Sequence, residues 1–143
     1  MFIGEYTLSI DEKGRLSIPV KFRADLKGSA VVTRGLDSSL FLYPKIEWQK
    51  LAEKLAALPI SKANTRAFSR LMLAGAMDCE VDKAGRIIIP DYLREFAKIG
   101  KRVVIAGLYN RLEIWSEESW KKYKRSTERD STKIAEQLGE IGV

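Results

Sequence analysis

The chain has 143 residues, 45% of them hydrophobic, with 25 Lys and Arg against 19 Asp and Glu, a formal net charge of +6, one cysteine and no histidine. That length suits one compact core or two small lobes sharing one, and no apolar run approaches the roughly 20 residues of a membrane-spanning helix. Without His, Ser-His-Asp and Cys-His catalysis and His-based zinc sites are excluded; the lone Cys79 cannot form an internal disulfide, and the positive balance favours an anionic partner.

In chain order, Tyr6-Thr7-Leu8-Ser9-Ile10 alternates polar and apolar residues, Asp11 to Gly14 turns the chain, and Arg15-Leu16-Ser17-Ile18 alternates again. This predicts a hairpin with Leu8, Ile10, Leu16 and Ile18 facing inward and Gly14 supplying the positive φ of the turn. Pro19 ends the second strand and opens a short helix, Val20–Leu26, with Phe22 and Leu26 on its core face. Strands follow over Ala30–Thr33 and Leu40–Tyr43, separated by a turn at Gly35–Ser39. From Pro44 to Ala76 the chain reads mostly as helix: Ile46, Leu51, Leu55 and Leu58 form one stripe, and Phe68, Leu71 and Met72 another beyond Pro59-Ile60-Ser61, where Ser61 is the expected N-cap.

The pattern then recurs. Asp82-Lys83-Ala84-Gly85-Arg86-Ile87-Ile88-Ile89-Pro90 repeats Asp11-Glu12-Lys13-Gly14-Arg15-Leu16-Ser17-Ile18-Pro19, Arg94 matches Arg23, and a helix over Asp91–Ala97 matches Val20–Leu26. A one-residue adjustment before Gly28 and Gly100 then places Val31 and Val32 opposite Val103 and Val104, and Leu40, Leu42 and Tyr43 opposite Leu112, Ile114 and Trp115. The second unit is expected to supply strands at Val103–Ile105 and Leu112–Trp115. Two copies at this long period indicate a duplicated domain rather than a solenoid, here units at 5–48 and 76–120 with a helical connector at 49–75. Ser116 is placed to cap a helix carrying Trp120 and Tyr123, and a tail over 121–143 has Ile134, Leu138 and Ile141 at helical spacing. A forty-residue unit buries little alone, so the two are expected to pair apolar faces in one β-barrel-like core, an α+β fold.

Arg15 and Arg86 directly follow the turn glycines, where an extended guanidinium can reach a phosphate or a guanine edge with a bidentate fork. Lys13, Lys83, Lys21, Arg23 and Arg94 are the expected phosphate contacts, while Asp11 and Asp82 orient the arginines or brace the loops. Asp-x-x-Gly-Arg is also a common hairpin closure that a recent duplication would carry twice. Cys79, between Asp78 and Glu80, reads as a buried structural thiol, and Trp48, Trp115 and Trp120 as core or interface fillers. No phosphate-loop glycine pattern or metal-ligand spacing is present, so no cofactor, metal or small-molecule substrate is expected.

The whole chain resembles the MraZ family of bacterial transcriptional regulators of the division and cell-wall gene cluster, built from two SpoVT/AbrB-like domains. The Met-Phe-x-Gly start, both D-x-x-G-R-[LI]-x-[IV]-P segments, the Leu-Tyr-Pro and Glu-Ile-Trp strand ends and Arg70–Ala76 carry the resemblance. It implies a swapped-hairpin barrel, ring-like homo-oligomers, and repression through closely spaced direct repeats in double-stranded DNA upstream of the protein's own operon. It also places Asp11, Arg15, Asp82 and Arg86 on the DNA-facing surface. Lys13 matches the family's lysine, whereas Ala84 stands at the equivalent place in the second copy, with Lys83 one residue earlier. The Met-Phe-Ile-Gly-Glu start lacks a signal-peptide pattern, so a cytoplasmic, nucleoid-associated protein is expected. An oligomeric scaffold binding acidic proteins or a membrane surface through the same basic face is the competing reading, and an enzyme the least supported.

Overall fold

Each repeat pairs strands with the other as well as within itself. The computed structural model describes residues 1–143. Eight strands, β1 (Phe2–Ser9), β2 (Arg15–Ser17), β3 (Ser29–Arg34), β4 (Leu40–Pro44), β5 (Met77–Glu80), β6 (Arg86–Ile88), β7 (Arg102–Tyr109) and β8 (Arg111–Ser116), form two antiparallel sheets. The larger runs β1-β7-β8-β4-β3-β5; the smaller is the ribbon β2-β6. Each half of the large sheet is mixed: β1 of the first repeat edges the β7–β8 pair of the second by pairing with β7, and β5 of the second edges the β3–β4 pair of the first by pairing with β3.

The expected hairpins therefore close only at their turns. The Asp11 amide donates to the Arg15 carbonyl and the Gly14 amide to the Asp11 carbonyl, but beyond an isolated Ile10–Leu16 bridge β1 and β2 part company. β2 instead pairs with β6, Arg15 opposite Ile88, Leu16 opposite Ile87 and Ser17 opposite Arg86. The physical reason is burial. Leu16 and Ile87 are essentially inaccessible, and their exchange brings the inward rows of both repeats into one 19-residue apolar cluster. Ile10 and Ile18 join that cluster, whereas Leu8 only packs on its margin.

Helices α1 (Val20–Leu26) and α4 (Asp91–Phe96) add Phe22, Leu26 and Leu93 to this core, with Ala97 just past the end of α4. The opposite face of the large sheet is covered separately. Phe41 and Tyr43 pack with Leu55 of α2 (Lys45–Ala56) and Met72, flanked by Trp48, Leu51 and Leu58. Helix α3 (Ala63–Ser69) continues into a π-helical turn, Arg70–Ala74. The widened turn directs the Met72 carbonyl at the sheet, where buried Thr33 donates its hydroxyl to it at 2.6 Å. Ser61 does not cap α3; the helix starts after Lys62 without a side-chain cap, and Thr65 bonds the preceding carbonyls of Pro59 and Lys62.

Helix α5 (Glu117–Arg129) is capped as expected, the Ser119 amide donating to Ser116 Oγ at 3.1 Å. Trp115 packs on Trp120 and Tyr123, and Glu5 accepts hydrogen bonds from Trp120 Nε1 and Lys124 Nζ, clamping α5 to β1. Helix α6 (Ser131–Leu138) and a 3-10 turn (Gly139–Ile141) end the chain, with Ile134, Leu138 and Ile141 exposed. No helix is long and apolar enough to cross a membrane. Cys79 is buried, and burial, more than the charge of Asp78, pushes its thiol up to about 12.

The ladders also revise the alignment of the two repeats. Ser29 lies opposite Glu80 and Arg102 opposite Ser9, so Ser29 corresponds to Arg102 and Ala30 and Val32 to Val103 and Ile105, one place beyond the sequence match. Ile99-Gly100-Lys101 stands where the first repeat has Gly28 alone, and the tighter β7–β8 turn restores the register at Leu40 and Leu112.

A shared core predicts shared fate. Leu16→Ala should cost about 2–5 kcal/mol, and urea unfolding followed by Trp fluorescence and by far-UV circular dichroism should still give a single coincident transition. Two separated transitions would mean independent units.

Candidate nucleic-acid interface

The ribbon β2-β6 has one face in the core and one in solvent: Leu16 and Ile87 point in, while Arg15, Ser17, Arg86 and Ile88 are exposed. Antiparallel pairing sets Arg15 and Arg86 at diagonally opposite corners of this outward face. Alternation around Leu16 made Ser17 legible as an outward residue; Ile88 was hidden because Ile87, Ile88 and Ile89 form an unbroken apolar run.

Each arginine is held by the aspartate that opens its turn. Asp11 Oδ1 accepts the amides of Lys13 and Arg15, both at 2.9 Å, and Asp11 Oδ2 accepts Arg15 Nε at 2.6 Å. In the second turn Asp82 Oδ1 accepts the amides of Ala84 and Arg86 at 2.9 Å, with Arg86 Nε at 3.3 Å from Oδ2. The hydrogen bond from the following arginine's amide is the main cause holding both carboxyls below the ordinary aspartate range. Anchoring through Nε leaves the two Nη groups of Arg15 and of Arg86 without a partner in the chain, facing solvent.

The turn glycines are buried and left-handed, with φ of +82° at Gly14 and +79° at Gly85. Across the ribbon the Ile89 amide donates to the Gly14 carbonyl and the Ile18 amide to the Gly85 carbonyl, both at 2.8 Å. The guanidinium groups of Arg94 and Arg23 lie against Gly14 and Gly85 respectively, each the neighbour of the other repeat's turn. Arg94 Nε donates to the Ile89 carbonyl at 3.0 Å and Arg23 Nε to the Ile18 carbonyl at 2.8 Å.

The remaining cations divide by position. Lys13 and Lys83 are exposed in the turns themselves. Lys21 is directed away, its ammonium over the rings of Tyr6 and Phe22. One open groove collects Lys13, Arg15 and Arg94 with Lys101 and Arg102, which β1–β7 pairing delivers beside Ser9. Those two were visible only as general basic charge, since their place depends on a ladder between chain segments far apart in sequence. Gly28 and Ser29 occupy the corresponding backbone positions at the second turn, so the two displays differ in charge.

A two-unit α+β protein that exposes paired arginine turns on a shared ribbon is the class these features define. A family model described as "MraZ protein, putative antitoxin-like" matches residues 1–71 and again 72–140. Proteins named "Transcriptional regulator MraZ" from Caldanaerobacter subterraneus and Natranaerobius thermophilus are 50% and 48% identical over 143 residues, covering all of this chain and all of each relative. One from Heliobacterium modesticaldum is 51% identical over 138 residues, 96% of each. The chain belongs to the MraZ family.

Two predictions follow from the turns. A Cβ at Gly14 would sit 2.3 Å from the Ile89 carbonyl oxygen, a backbone atom, whereas the nearest atoms it would meet at Gly85 belong to the Arg23 side chain. Left-handed strain alone costs about 1–3 kcal/mol, so both alanine variants should lose stability in denaturant titrations, Gly14→Ala more than Gly85→Ala. The lowered aspartate values contribute stability that is complete above the ordinary aspartate pKa of about 4 and disappears as pH falls through the folded-state values. Melting temperatures recorded between pH 6 and 2.5 should therefore decline less steeply for Asp11→Asn/Asp82→Asn than for wild type; parallel curves would remove the aspartates from the acid response.

Proposed function

We propose that the protein is a sequence-specific DNA-binding transcriptional regulator, a repressor of the division and cell-wall gene cluster that binds direct repeats upstream of its own operon as a ring-like homo-oligomer. The observation that carries this reading is the outward face of the β2-β6 ribbon, with Arg15 and Arg86 at its corners and their Nη groups free. A two-stranded ribbon is a shape the major groove admits, and a guanidinium fork matches the guanine edge there. Lys13 and Lys83 in the turns supply phosphate contacts, as do Lys101 and Arg102 in the groove beside the first turn. Asp11 and Asp82 act from beneath, fixing each arginine's backbone and Nε. The relatives' name as transcriptional regulators supports the same reading, as does the net charge of +6. Such a protein works in the cytoplasm at the nucleoid and needs no cofactor.

Fluorescence anisotropy with a duplex from the region upstream of the protein's own gene tests it. Arg15→Ala and Arg86→Ala should each weaken specific binding by about 1–3 kcal/mol at fixed salt. Lys13→Ala should weaken binding to all duplexes and lower the salt slope by about one. Wild-type affinity in both arginine variants overturns the site; no binding to any duplex, with retained binding to an acidic protein or anionic vesicles, would instead favour the scaffold.

A further inference from the structure

We infer that Arg94 and Arg23 are positioning residues that act across the molecule, each fixing the arginine turn of the opposite repeat: Arg94 sets Arg15, and Arg23 sets Arg86. The functional half of this inference rests on the reading of Arg15 and Arg86 as DNA contacts; the structural half does not.

By sequence these two arginines are basic residues on the helices that follow the turns, the natural place for phosphate contacts. Their nitrogens are otherwise engaged. Arg94 Nε donates to the Ile89 carbonyl, Nη1 to the Glu12 carbonyl at 3.3 Å, and Nη2 pairs with Asp91. Its side chain is only 20% exposed. All three nitrogens thus have partners in the chain, and one of those partners, Glu12, belongs to the first turn. The guanidinium lies against Gly14, where an added Cβ would come within 3.0 Å of Nε and 3.2 Å of Cζ.

Arg23 repeats the arrangement with fewer bonds. Its Nε holds the Ile18 carbonyl, and its guanidinium lies so close to Gly85 that a Cβ there would overlap Nε and Cζ. Val20 stands where Asp91 supports Arg94, so no carboxylate locks this brace. The tighter brace accompanies the tighter display: Arg15 Nε lies 2.6 Å from its aspartate, Arg86 Nε 3.3 Å. Lysine is a poor substitute: an ammonium is a point charge with no planar fork, so it cannot span the Ile89 and Glu12 carbonyls as Arg94 does, nor reproduce the directed Nε bond of Arg23.

Hydrogen exchange on the full chain without DNA tests the brace directly. Arg94→Lys and Arg94→Ala should speed exchange at the Lys13 and Arg15 amides roughly tenfold or more, leaving Ala84 and Arg86 within about twofold; Arg23→Lys and Arg23→Ala should do the reverse. Unchanged protection at Val32 and Ile105 shows that each variant is folded, and the lysine variants serve if an alanine variant is not. Loosening in the variant's own repeat, or no loosening, overturns the inference.

Titration with a labelled duplex from the protein's own promoter, at several KCl concentrations, tests the consequence. Arg94→Lys and Arg94→Ala should both lose roughly tenfold in affinity, within the worth of one bidentate base contact, with no change in salt slope and no further loss when added to Arg15→Ala. A slope lowered by about one, with a loss additive to that of Arg15→Ala, makes Arg94 a phosphate contact and overturns its positioning role. Equal binding by wild type and Arg15→Ala refutes the DNA reading alone, and the exchange result still decides the brace.

Discussion

The contact on which the rest of this molecule depends is the pairing of Leu16 with Ile87 at the centre of a three-residue ribbon. A ribbon so short has no stability of its own. It persists because both side chains are buried in a core to which each repeat contributes comparably. A second pairing of equivalent residues, Phe41 opposite Glu113 between β4 and β8, joins the halves of the large sheet. There symmetry is broken by chemistry: Glu113 is buried, satisfied by Arg111 and Trp115 Nε1, while Arg111 stacks on Phe41. The pseudo-symmetry axis thus runs through one apolar pair and one pair that sets an aromatic ring opposite an ion-paired glutamate.

The aspartate–arginine pairs at the turns contribute little to stability, because both partners are substantially exposed and screened by water and salt. Their value is geometric. An arginine free to sample its rotamers would lose that freedom on meeting a ligand, whereas one tied at Nε and at its own backbone amide has already given up most of it. The glycine beneath, the aspartate before and the opposite repeat's arginine against the turn all act on the same few atoms. Rigidity is concentrated where a surface side chain would ordinarily be mobile.

Much of this was legible in the residues. Alternation located the strands around Gly14 and the repeat carried them to Gly85, i,i+4 spacing placed Phe22 and Leu26, and Ser116 capped α5 as its position implied. What local pattern could not convey was partnership. The same alternation suits a hairpin and a strand exchanged with a distant segment, and only the burial available to Leu16 and Ile87 together decides between them. Ser61 failed as a cap because α3 begins one residue later than its position implied, with Lys62 at the flanking place and no side-chain cap. The alignment slipped at Gly28 because matching valine pairs carry no information on which face each valine occupies; ladder register supplies it.

Exchange between repeats also has a consequence during synthesis. β1 is the first strand to be made, yet its partner β7 ends at Tyr109. The leading half of a nascent chain therefore emerges with β1 and β2 both lacking their ladders and with Phe2 and Leu16 uncovered, so vectorial folding stalls until most of the polypeptide has left the ribosome. During that interval two nascent chains on one messenger could each offer the other the strands they lack, making the timing of translation a factor in whether the repeats close within a chain or between chains.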